Sequence, residues 1–190
     1  MELSLENLNK SAVNNGLIIG VLSAILGIVI YYVAPALFGS MWFAVGNLIF
    51  LLAVYILFTI DLRKKIGGYW SFRQALKGIF LMSFIAGMFL TVTNYVFYKF
   101  IEPDAFTNIS GYIEEAATKT FESMGMDPDQ IETAVSEQLK SMKKQFDPSP
   151  MELLQNIGIV ILIEFIMSLI FAAIFKNEAP IFAPIEDDVD

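Results

Sequence analysis

The sequence predicts an all-α protein: a four-helix transmembrane bundle with an extracytoplasmic helical hairpin inserted between spans three and four. Three observations point there. Four apolar runs each approach the roughly 20 residues that a bilayer core requires. The stretch between the third and fourth runs has apolar residues at helical spacing, not in a continuous block. The whole chain, 190 residues long, is 56% hydrophobic with a mean hydropathy of +0.61, where soluble domains run at about 45–50% apolar.

Residues 1–15 are read as a short cytoplasmic segment, and the first span as 16–38. Lys10 precedes that span, as a basic residue precedes a signal peptide. The apolar run is longer than the about 7–15 residues of a signal core, and no convincing small-x-small cleavage site follows. It is therefore expected to stay as a helix. Only Gly39-Ser40-Met41 and its neighbours separate it from the second span, 42–60. So short a link makes the two helices antiparallel neighbours.

The loop 61–77 carries Arg63, Lys64, Lys65, Arg73 and Lys77 against the single acid Asp61. Basic loops stay in the cytoplasm, so this loop and both termini are expected inside, with 102–151 outside. Lys99, Lys140, Lys143 and Lys144, near span ends on the outer side, pull the other way. Ser71-Phe-Arg-Gln74 fits a capping box, so a helix should start there and run into the third span, 78–101. Tyr69, Trp70 and Phe72 are read as aromatics anchored at the membrane surface.

In the outer insertion, Ile109, Ile113, Ala116, Ala117, Phe121 and Met124 fall on one stripe, and Gly125 follows as a stop signal. Asp127-Pro128-Asp129-Gln130 offers an N-cap, a proline at the first helical position and a glutamine to close a capping box. The next helix places Ile131, Val135, Leu139, Met142 and Phe146 on one face. These 108–146 helices could meet each other, the membrane surface, a protein partner or a second copy. Ser149-Pro150-Met151-Glu152 is another capping box. It opens the helix that becomes the fourth span, 156–175, within a segment taken as 152–176. The acidic tail 177–190, broken by Pro180 and Pro184, is expected to be disordered and cytoplasmic.

The fourth span contains Glu164. A carboxylate at a helix centre opposes insertion by roughly 2.5–3.5 kcal/mol, while each central Ile, Leu, Phe or Val favours it by about 0.3–0.6. The segment still inserts, and Glu164 must find a partner, a cavity or a proton. With the spans antiparallel, Thr91 and Asn94 of the third, Asn47 of the second, and Tyr31 and Tyr32 of the first fall in one broad layer with Glu164. Small residues recur at i, i+4: Gly16, Gly20 and Ala24; Ser23 and Gly27; Ser83, Gly87 and Thr91; Glu164, Ser168 and Ala172. Such stripes let helices approach closely in lipid, so Glu164 is expected to face the bundle. The candidate polar site is Glu164, Ser168, Asn94, Thr91, Asn47 and Tyr31. In one reading it is structural, with Glu164 hydrogen-bonded to Asn94, Thr91 or a Tyr hydroxyl. In the other, Glu164 serves a small proton- or ion-coupled carrier.

Several functions are excluded or disfavoured. The net charge of −8 argues against a nucleic-acid partner. The chain has no Cys and no His, which removes thiol nucleophiles, histidine triads and histidine zinc sites. No paired acid and base stands out, so no enzyme, catalytic residue, metal or cofactor is expected.

Three stretches resemble a known family. They are Gly67-Gly-Tyr-Trp-Ser-Phe-Arg-Gln-Ala-Leu-Lys-Gly78, Asn94-Tyr-Val-Phe-Tyr-Lys-Phe-Ile-Glu-Pro-Asp104, and Ile163-Glu-Phe-Ile-Met-Ser-Leu-Ile170. Together with the charged helical insertion they resemble the DUF4199 family of small four-span bacterial membrane proteins, over nearly the whole chain. The resemblance implies four helices and an inner-membrane address. It carries over no catalytic residue. The family pattern often has a proline soon after the glutamate of the last span, where this chain has Phe165-Ile-Met-Ser168.

Overall fold

The computed structural model describes residues 2–178, with side chains from residue 7 onward. Six helices appear among the described residues: α1 Glu2–Val33, α2 Met41–Lys65, α3 Phe72–Val96, α4 Ala105–Ser123, α5 Pro128–Phe146 and α6 Pro150–Phe175. The paired backbone outside helices is one antiparallel bridge between Trp70 and Asn177. Four stretches are long and apolar enough to cross a membrane: Asn7–Val33, Met41–Lys65, Phe72–Ile101 and Pro150–Phe175. Of the tail 177–190, residues 179–190 lie outside the described residues.

Local chemistry sets the helix ends. α1 starts well before residue 16 and stops at Val33 instead of Phe38. Pro35 disfavours helical backbone in the residue before it, and Ala34 indeed leaves the helix at φ −147°. A 3-10 turn, Pro35–Gly39, then leads to α2, whose N-cap Ser40 accepts from the Phe43 N–H. The two capping boxes expected from sequence are both complete. Ser71 Oγ accepts from the Gln74 N–H while Gln74 Oε1 accepts from the Ser71 N–H. Ser149 and Glu152 do the same at the start of α6. At α5 the expected box does not form: Asp127 caps through the Asp129 N–H, and Gln130 takes no part. Gly125 ends the α4 region at φ +74°, a left-handed conformation suited to glycine. α6 is a single continuous helix through Phe165–Ser168, as the absence of a proline there allows.

α3 is the central helix. It packs on α1 along one side and on α6 along the other, while α2 packs mainly on α1. The small-residue stripes explain how. A Cβ at Gly16 would collide with the Met82 carbonyl, and one at Gly20 would press on the Phe89 ring. Across the other seam, Gly87 lets Val160 and Glu164 of α6 lie against α3. A Cβ at Gly27 would meet nothing within 4 Å, so no helix packs closely on that position.

At one end, the buried core includes Leu8, Ala12, Leu62, Trp70, Ala75 and Ile79. Trp70 is only 1% exposed, so it is not the membrane-surface anchor expected from sequence. Its indole N–H donates to the Phe175 carbonyl at 2.8 Å, and its backbone pairs with Asn177. Tyr69 and Phe72 remain exposed. The indole is buried because the chain leaving α6 supplies a backbone carbonyl for it, a partner that a loop read alone cannot reveal.

At the other end, α4 packs on the Pro35–Gly39 turn and on α5. Gly39 lies directly under the Tyr112 carbonyl and Ala116. Ile109, Ile113 and Ala117 of α4 are buried, as are Ile131 and Val135 of α5. Met124, expected on the same stripe, is exposed, and Met126 packs beside Ile131 in its place.

Candidate functional site

Glu164 lies about 21 Å along the 26-residue α6 at 1.5 Å per residue, near mid-length. Its neighbours on α6 at helical spacing are Ser168, Phe171 and Ala172, all buried. Ser168 Oγ–H donates to the Glu164 main-chain carbonyl at 2.6 Å and lies 3.2 Å from the Ser83 hydroxyl of α3. Ser83 in turn donates to the Ile79 carbonyl at 3.0 Å. Both hydroxyl protons are thus taken by main-chain carbonyls, and the two serine oxygens lie side by side inside the α3–α6 seam.

The Glu164 side chain reaches over Gly87, where a Cβ would stand 3.5 Å from its Oε1. It lines a cavity of about 340 Å³ between α2, α3 and α6. α2 contributes Leu48, Leu51, Leu52 and Tyr55, and α6 adds Ile163, Met167 and Phe171. The cavity exists because α2 packs on α1 and stands apart from α6. No Lys or Arg lines it, and Glu164 is its single acid. Ser83 also lines the cavity, with its one hydroxyl proton directed to the Ile79 carbonyl.

The six residues singled out from sequence do not form one site. Glu164 and Ser168 are together, as their spacing requires. Thr91, one turn beyond Gly87, is half-buried, and Asn94 is exposed. Asn47 is half-buried. Among the described residues, none of these three makes a side-chain hydrogen bond to Glu164, and neither does a tyrosine hydroxyl. The expected bonded network is thus corrected. Depth alone put these groups in one layer, but helix rotation turned Asn94 outward.

Tyr31 belongs to a different cluster, at the α4 end. Its hydroxyl donates to Glu102 Oε2 at 3.1 Å and accepts from Asn108 Nδ2 at 3.1 Å. Tyr32 donates to the other carboxylate oxygen, Oε1, at 2.6 Å. Both rings meet Phe97 edge-on. Phe97–Ile101 is a π-helical turn, and such turns re-aim the residues that follow. Here it delivers Glu102 to the two tyrosines. Adjacent Tyr31-Tyr32 and a lone acid before Pro103 were the available signals.

A second cluster missed from sequence lies at the basic end. Asn15, 1% exposed, donates to Asp61 Oδ2 at 2.8 Å and accepts from Lys65 Nζ at 3.3 Å. Lys65 also pairs with Asp61 at 2.7 Å. This ties the start of the first span to the end of the second. Among the described residues no group of three or more His, Cys, Asp or Glu side chains is placed to hold a metal ion.

At the α4 end a groove of about 750 Å³ runs between α4 and α5. Ile131, Val135 and Leu139 form part of its apolar lining, and Glu114, Glu132, Lys140 and Lys143 its charged one.

No curated protein and no solved structure matches the chain. A family model described as "Protein of unknown function (DUF4199)" matches residues 14–177, a stretch that holds most of the first apolar helix and all of the other three, the Glu164 cavity and the Tyr31–Glu102 cluster. The chain belongs to the DUF4199 family.

Proposed function

We propose that this chain is a non-enzymatic, multi-pass protein of a bacterial inner membrane whose α4–α5 pair, an extracytoplasmic hairpin, binds a protein partner. The observation that carries the reading is the α4–α5 groove. It joins an apolar floor to charges of both signs, the mixture found where a protein surface meets another polypeptide. Placing this end outside follows from the other end, which gathers Arg63, Lys64, Lys65 and Arg73 and so belongs in the cytoplasm with both termini. The non-enzymatic part rests on the carboxylates. Glu164 is the single acid in a cavity lined by no Lys or Arg, and both oxygens of Glu102 are taken up by tyrosine hydroxyls, so neither is paired with a basic side chain or a second carboxylate.

Photo-crosslinking residues placed at Ser136 and Lys140, exposed positions lining the groove, test this in living cells. The expected result is an adduct heavier than the chain that contains a second, different polypeptide. Adducts within the chain alone, or only between two copies of it, would overturn the proposal.

A second reading, a small proton- or ion-coupled carrier, is favoured by one observation: Glu164 lines a cavity and is not sealed in a side-chain network. Proteoliposomes carrying wild type or Glu164→Gln under a pH gradient test it, and equal proton flux in both would remove it.

A further inference from the structure

We propose that the cavity between α2, α3 and α6 binds a lipophilic cation: an apolar body carrying a single ammonium-type or other onium charge, which enters sideways from the bilayer and pairs with Glu164. The inference uses the cavity of the carrier reading but does not need transport.

Size comes first. About 340 Å³ falls at the small end of the roughly 300–1,000 Å³ of small-molecule sites. A transmembrane helix, about 10–12 Å across with its side chains, needs a long groove and not a pocket. Lining chemistry comes second. Leu48, Leu52, Ile163, Met167 and Phe171 offer apolar contact, and Phe171 and Tyr55 add aromatic rings, which attract cations. Charge comes third. The one acid in the cavity has no basic partner there, so the electrostatic complement it lacks is positive.

The same observations decide against other occupants. A lipid acyl chain would fill the volume and leave the carboxyl unpaired in hydrocarbon, which is costly. A hard metal ion or a hydrated sodium ion needs several oxygens around it. A divalent ion such as calcium takes about six to eight, and the lining's side chains offer fewer: the two of Glu164 and the hydroxyls of Tyr55, Ser83 and Ser168. A weakly hydrated organic cation gives up little hydration on entry and needs only one counter-charge. The arrangement suits it.

The test is equilibrium dialysis of the full chain in detergent micelles with tetraphenylphosphonium, a lipophilic cation of fixed charge. Its anionic counterpart of equal shape, tetraphenylborate, serves as the control. Saturable binding of the cation at one site per chain is expected, with at least tenfold weaker binding in Glu164→Gln and partial retention in Glu164→Asp. Tetraphenylborate should partition without saturation. Fluorescence of the buried Trp70, read in a Trp42→Phe background because Trp42 is exposed, verifies that each variant is folded. Equal affinity for the cation in folded Glu164→Gln, saturable binding of the anion, or no saturable cation binding to wild type would each overturn the proposal. None of these results bears on the crosslinking experiment, which interrogates the opposite end of the fold.

Discussion

At the scale of single residues, Glu164 is the informative one, because its surroundings make a prediction opposite to the one its sequence context suggests. If it were the hub of a buried hydrogen-bond network, replacing it with leucine would orphan its partners at about 1–3 kcal/mol each. The structure offers no such orphan. Ser168 donates to the main-chain carbonyl of residue 164, and Ser83 to that of Ile79, and both bonds survive the substitution. Leucine also suits a cavity lined by Leu48, Leu51, Leu52 and Ile163. Glu164→Leu should therefore unfold in detergent at the wild-type temperature or above it, stabilised by up to about 1 kcal/mol. A clear drop in melting temperature would restore the network that the geometry lacks. A higher melting temperature for the leucine variant would show a residue that weakens the fold where it stands, the pattern expected of a group kept for binding.

At the scale of elements, the stripes of small residues decide which helices touch. Gly16 sits where a side chain would meet the Met82 carbonyl of α3, a backbone atom that cannot swing away. Gly27, on the same helix and equally apolar in setting, meets nothing within 4 Å. Gly16→Val should force α1 from α3 and destabilise the protein by about 1–3 kcal/mol or more. Gly27→Val should be tolerated, because valine is welcome in lipid. Thermal melts of the two variants in one detergent check the contrast, and equal melting temperatures would refute it. These elements also show what the sequence makes legible. Apolar length located four helices long enough to cross a membrane, and the Ser71–Gln74 and Ser149–Glu152 boxes placed two helix starts, because both signals are local. The i, i+4 stripes gave Gly16, Gly20, Gly87 and Ser168 their correct faces. What stayed hidden depends on rotation and on distant chain. Asn94 turned outward although its depth matched that of Glu164. Trp70 went inside because a carbonyl 105 residues away receives its N–H. Tyr31 and Glu102 met because a π-helical turn changed the phase of the helix between them, and nothing local announces such a turn.

At the scale of the whole molecule, the two ends differ in chemistry. One collects the basic loop and the Asn15–Asp61–Lys65 cluster; the other holds α4, α5 and the tyrosine-clamped Glu102. The orientation proposed above makes a simple prediction, helped by the fact that the chain contains no cysteine. Any introduced thiol is unique. Ser136→Cys should react with a membrane-impermeant maleimide added to intact spheroplasts, and Lys64→Cys only after the membrane is opened. The reverse labelling would invert the topology and move the α4–α5 groove into the cytoplasm.

The clasp between Trp70 and the stretch Phe175–Asn177 has a further consequence, for biosynthesis. The indole emerges from the ribosome long before its carbonyl acceptor does, so during translation it has no mate from its own polypeptide. Only when the last helix has been synthesised can that side chain reach its carbonyl and lock. In a Trp42→Phe background, which removes the second, exposed tryptophan, shielding of Trp70 from a water-borne quencher therefore marks the moment of completion, and nascent chains halted short of Phe175 should keep it accessible.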